Sequence, residues 1–92
     1  MEKPKVFEII RHTDSTGISG TGTVLWGVEF PDHTGAARWC SKGGVNSTNV
    51  YEKADDCIEI HVRKHPENHT DVIWYELTQI MPQAFFTDGD GI

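Results

Sequence analysis

Arg38 and Trp39 close the stretch WGVEFPDHTGAARW, residues 26–39. A guanidinium presents a planar fork of donors to carboxylate or phosphate, and a neighbouring indole supplies a flat face for stacking. Arg11 is a second guanidinium at the end of an apolar run, His61 falls near the end of a helical pattern, and Tyr51 stands before it. Between the first two apolar runs lies GISGTG, residues 17–22. Successive N–H groups in such a loop can form a nest around an anion. Together these residues suit recognition of a small anionic ligand. Arg11, Arg38 and His61 would neutralise it, Gly20 and Thr21 would close over it, and Tyr51 or Trp39 would stack on it.

Other chemistries fit less well. Phosphate-cradling loops of nucleoside-triphosphate hydrolases stand between a strand and a helix and carry a lysine. Here the next element reads as a strand and no lysine follows. His61, His65 and His69 are spaced by four, which makes His61 and His65 a candidate metal pair. Pro66 breaks the pattern before His69, and nothing clearly completes the site. A histidine at a helix C-terminus, held by the dipole, is the simpler expectation. Asp88-Gly89-Asp90-Gly91 opens like a calcium loop, but the sequence ends at Ile92, before the ligand at loop position twelve. Cys40 and Cys57 form no C-x-x-C motif. Cys57 falls on the apolar side of the helical pattern, where a thiol behaves as a small hydrophobe. No nucleophile elbow is visible. The residues therefore point to a binding protein rather than an enzyme, with no metal and no cofactor.

These side chains need a scaffold. The 92 residues suffice for one domain, residues 1–92, with the ordered part expected at about 5–86. Hydrophobic residues at 37% and charged residues at 24% indicate a globular chain. A net charge of −6 disfavours duplex nucleic acid as a partner, because phosphate contacts need a basic face. No run is long and apolar enough to span a membrane, and no signal peptide is evident, so a cytoplasmic protein with reduced thiols is expected. β-Rich patterns place strands at 5–12, 22–30, 35–40, 48–52 and 70–76. Residues 54–64, ADDCIEIHVRK, read as a helix with acids in its first turn, bases in its last and Pro66 as its stop. The order β-β-β-β-α-β describes an α+β domain, an antiparallel sheet with one helix packed on it. The tail carries Ile80, Met81, Phe85 and Phe86, then a glycine-rich acidic end expected to fray. That apolar segment could close the protein's own core, support a homo-oligomer, or contact a host protein.

The hairpin register sharpens the expectation for the tryptophans. A four-residue loop, Pro31 to Thr34, pairs Phe30 with Gly35, Val28 with Ala37 and Trp26 with Trp39. Every large apolar residue then shares one face, and a one-residue slip would scatter them. On this register both tryptophans belong to the core as a cross-strand pair. Arg38 lies on the opposite face over Gly27, with Glu29 as its diagonal neighbour.

The combination of Ser19-Gly20-Thr21-Gly22, Gly27 to Asp32, Arg38-Trp39, Asp55-Asp56 with His61, and Thr70 to Trp74 resembles a family of small proteins of actinobacteria and their phages and prophages. The resemblance spans roughly residues 6–75. The chain departs from it at His33, where the family has glycine after the turn aspartate, and after His61, where the family continues with glycines. The resemblance implies a phage or mobile-element context and no particular reaction. With that context, sequestration of a small anionic, nucleotide-derived host defence signal, such as a cyclic nucleotide or ADP-ribose derivative, is the expected function. An inhibitor or adaptor acting on a host protein is the alternative. A ligand pocket in so small a fold would be shared between protomers.

Overall fold

The computed structural model describes residues 2–14, 20–41 and 44–76. The expected docking tail, with Ile80, Met81, Phe85 and Phe86, lies outside these residues, as does most of the loop before Gly20. Five strands form one antiparallel sheet: β1 (Lys5–Arg11), β2 (Gly22–Glu29), β3 (Gly35–Trp39), β4 (Thr48–Tyr51) and β5 (Thr70–Tyr75). Their order is β4-β3-β2-β1-β5. Helix α1 (Ala54–Ile58) and a π-helical segment (Glu59–Arg63) link β4 to β5, the two outer strands of the sheet. The linking segment packs across one face, and the α+β architecture follows as expected.

The core lies between the helix and that face. Phe7 and Ile9 of β1, Leu25 of β2 and Ala37 of β3 are buried against Ala54, Cys57 and Ile58. Trp39, Tyr51, Val62 and Val72 pack around this cluster. Because strand side chains alternate, the same face also receives Arg11, Gly27, Gly35, Thr70 and Trp74. The rear face carries Val6, Glu8, Trp26, Val28, Ala36, Arg38, Thr48, Val50, Ile73 and Tyr75.

The hairpin differs from the expected register. Trp26 pairs with Arg38, Gly27 with Ala37, Val28 with Ala36 and Glu29 with Gly35. The loop is therefore five residues, Phe30 to Thr34, closed by Phe30 N–H to the Thr34 carbonyl at 2.8 Å. The two tryptophans do not pair. Trp39 faces the helix, whereas Trp26 stands on the rear face, 43% exposed. Arg38 is on the rear face too, but beside Trp26 rather than over Gly27.

The reason lies in who supplies the bulk. Gly27 is the cross-strand partner of Phe7, and a side chain on it would stand inside the Phe7 ring. A Cβ on Gly35 would lie 2.7 Å from Ala54 Cβ. The hairpin end of the covered face must be bare at Gly27 and Gly35 so that Phe7 and Ala54 of α1 can lie against it. Equating large side chains with burial selects the wrong face here. The turn also serves the helix. His33 takes φ 73°, an unusual value outside glycine. Its carbonyl then accepts the Ala54 N–H at 2.8 Å, satisfying one of the free donors of the helix start. Asp32 accepts from the Thr34 N–H at 3.1 Å and its hydroxyl at 2.6 Å, which braces the turn.

The helix is also not regular. After Ile58 it widens into π geometry, with Lys64 N–H donating to the Glu59 carbonyl at 3.1 Å. It ends before His65, so His61 and His65 do not share a helix face. His65 instead pairs with Glu67 at 3.1 Å. π Turns inside helices recur at functional sites, and this one carries His61.

Candidate functional site

The covered face carries four of the seven residues expected to hold a ligand and brings three of them, Trp39, Tyr51 and His61, into contact. Arg11 comes from the end of β1, Trp39 from the end of β3, Tyr51 from the end of β4 and His61 from the π segment. The Tyr51 hydroxyl and His61 Nε2 are 3.3 Å apart. The Trp39 and His61 rings meet edge to face, with centroids 4.8 Å apart. His61 is thus gripped between a phenol and an indole, next to the buried Cys57.

These groups are held neutral. Burial pushes the His61 imidazole below its usual value, and the positive charges of Arg11 and then His65 push it further down. Burial raises the Tyr51 phenol to about 12, helped by Cys57. Burial also raises the Cys57 thiol. An imidazole, a phenol and a thiol in these states serve as hydrogen-bond donors and acceptors. None is prepared as a nucleophile, because the thiolate is the reactive form of cysteine.

Arg11 is the exception to that neutrality. Its side chain is 6% exposed, and its Nε has no hydrogen-bond partner. It makes no ion pair with any described residue. Its charge reaches Glu67 only weakly, since that carboxyl is held mainly by its own backbone N–H and by His65. The cross-strand partner of Arg11 on β5 is Thr70, whose buried hydroxyl also lacks a partner. On the other side stands Gly22, at φ 91° and with open space where a side chain would be. A buried guanidinium normally sits against a carboxylate, because an unpaired buried charge is costly. Here an unsatisfied donor, an unsatisfied hydroxyl and a bare glycine adjoin one another. Thr70 was not foreseen from the sequence. Only its pairing opposite Arg11 marks it, and that pairing requires the sheet order.

The remaining expected residues lie elsewhere or at the rim. Arg38 is on the rear face, separated from Arg11 by the sheet. It donates to Thr48 Oγ1 at 3.1 Å, while its expected partner Glu29 instead meets His33 at 3.3 Å. Gly20 and Thr21 precede β2. Gly20 takes φ 81° and donates its N–H to Asp14 at 2.7 Å, so this part of the loop binds a carboxylate of its own chain. Among the described residues no group of three or more histidine, cysteine or acidic side chains is placed to hold a metal ion. No helix among them is long and apolar enough to cross a membrane.

No curated protein and no solved structure matches this chain. A family model does, over residues 4–76, described as Acb5 phage protein. The matched span runs from just before β1 to just after β5, so it contains the whole sheet, the helix and the Arg11 site. The phage context expected from the motifs is thereby met, and the chain belongs to the Acb5 phage protein family.

Proposed function

We propose that this protein is a non-enzymatic binder that sequesters a small anionic, nucleotide-derived molecule for the phage, as a countermeasure to host defence. One observation carries the reading: Arg11 is almost fully buried yet unsatisfied at Nε, next to the equally unsatisfied Thr70 hydroxyl. An anion arriving there would gain a charge-assisted hydrogen bond from Arg11 and a second bond from Thr70. Trp39 and Tyr51 flank His61, whose imidazole feels the Arg11 charge. The neutral His61, Tyr51 and Cys57 favour holding a ligand over attacking it. This reading keeps Arg11, Trp39, Tyr51 and His61 of the residues expected from sequence and leaves out Arg38, which stands behind the sheet.

Thermal melting of the purified full chain with cyclic nucleotides and ADP-ribose derivatives tests this. A ligand that binds only the folded state raises Tm. The rise should vanish in Arg11→Met and persist in Arg38→Ala. No rise with any member of the panel, together with co-purification of a host protein, would sink the proposal in favour of a protein-binding role. A rise lost in Arg38→Ala but kept in Arg11→Met would move the site to the rear face.

A further inference from the structure

We infer that the rear face of the sheet is a homodimer interface, in which Trp26 of each copy packs beside Arg38 of the other. This rests on the face opposite the proposed ligand site and is independent of that reading.

Among the described residues the rear face is largely apolar and no element packs over it. Trp26, Val50, Ile73 and Tyr75 are 43%, 83%, 38% and 44% exposed, and all four alternate onto this side of the sheet. Scattered exposed hydrophobics are ordinary, but a contiguous apolar face marks an association surface. Sheet faces of this kind are normally buried against another layer. Sheet-on-sheet packing is the standard solution when no helix is available.

Three observations favour a second copy as the occupant. The first is charge. The chain carries −6, so two copies repel across most of their surface. The middle of the rear face carries Glu8 and Arg38, which offset one another, making it a region where like molecules can meet. The second is Glu8 itself. It is 8% exposed and accepts from the Thr23 hydroxyl and, at 2.6 Å, from the Tyr75 hydroxyl. Those bonds hold its carboxyl below the usual value, the Thr23 bond most. A carboxylate satisfied from within its own chain can be covered without leaving a charge unpaired.

The third is shape. A groove of about 280 Å³ runs beside Trp26 and is lined by Val28, Ala36, Arg38 and Thr48. Trp26 lies on the central strand, so a two-fold axis near it brings each indole to the groove of the other copy. There it meets the guanidinium of Arg38, which has no carboxylate partner among the described residues. Arginine over tryptophan is a favourable cation–π arrangement. The area suits a weak, concentration-dependent dimer. Five strands at about 4.8 Å and roughly five residues at about 3.3 Å give a flat face near 400 Å², so two copies cover about 800 Å² before side-chain relief is added, the range of transient interfaces.

Sedimentation of the full chain at about 100 μM should show twice the 10.3 kDa of one copy. Trp26→Ala and Ile73→Lys should each weaken association at least tenfold, with unchanged circular dichroism. Val50→Lys provides a control against misfolding, because that side chain is 83% exposed and supports nothing within its own chain. It should weaken the dimer as well. A monomeric wild-type chain at that concentration would overturn the proposal, whether residues 77–92 or a host protein covers the face instead. Dimers unaffected by Ile73→Lys and Val50→Lys would overturn it too.

Discussion

Replacing Arg11 by methionine should stabilise the protein while destroying its binding. A buried donor without a partner costs about 1–3 kcal/mol relative to an apolar group in its place. Arg11 Nε is such a donor, and the Thr70 hydroxyl beside it offers no compensation. Methionine keeps most of the aliphatic stem, adapts to irregular space and removes the charge. It leaves a small void where the guanidinium ended, which returns part of the gain. A net increase of about 1–2 kcal/mol remains. For a domain of this size that raises Tm by roughly 5–15 °C. In the same scan, a ligand at about 100 times its Kd should stabilise the wild-type chain by about 2.7 kcal/mol and the variant not at all. Opposite signs for stability and binding are the mark of a residue kept for function at a cost to the fold. If Arg11→Met melts several degrees below wild type and still responds to ligand, Arg11 is a structural residue and the site lies elsewhere.

Three further outcomes follow from the same geometry. Thr70→Val removes the second unsatisfied buried group with little change of shape, so it should raise Tm by a few degrees and weaken ligand binding several-fold; a lower Tm with unchanged binding would show that the hydroxyl has a structural partner. His61 has a folded-state pKa below its usual 6.5, so between those two values the unfolded chain binds more protons than the folded one. Stability should hold above about pH 6.5 and fall as pH drops below it, and His61→Gln should flatten that part of the Tm-versus-pH curve. If the anion sits near His61, its binding should strengthen on acidification over the same range, which titration calorimetry at about pH 6 and pH 8 would show; equal affinities would place the ligand away from the imidazole. Gly27→Ala pushes a methyl group into the buried Phe7 ring and should cost about 1–3 kcal/mol through overpacking, whereas a loss below about 0.5 kcal/mol in urea unfolding would mean that Phe7 can swing aside.

The elements were legible because their signals are local. Alternating β-formers gave all five strands to within one residue, and the acids of Asp55 and Asp56 with Pro66 framed the helical segment. What the sequence hid was non-local. The hairpin slips by one residue because Phe7 and Ala54, far from it in sequence, occupy the space over Gly27 and Gly35. No pattern within residues 26–39 records that. The widening of the helix after Ile58, where His61 meets Tyr51 and Trp39, leaves no residue signature either. The site was half legible for the same reason. Aromatic and basic residue types named Arg11, Trp39, Tyr51 and His61, but only the strand order puts Thr70 beside Arg11 and sends Arg38 to the other side.

Both faces of this sheet invert the usual arrangement, and the two inversions explain each other. On the covered face β2 and β3 place Gly27, Gly35 and Ala37 where Phe7 and α1 close the core. At the end of β1 the charged side chain of Arg11 is buried with its Nε unsatisfied. On the rear face the large side chains displaced from the core stand uncovered around a carboxylate already satisfied from within. A chain under no pressure beyond folding would exchange these placements, putting Trp26 under the helix and Arg11 in water. An anion at Arg11 would supply the bond its Nε lacks, and a second copy on the rear face would cover the indole. If both proposals hold, each event should raise the melting temperature without the other.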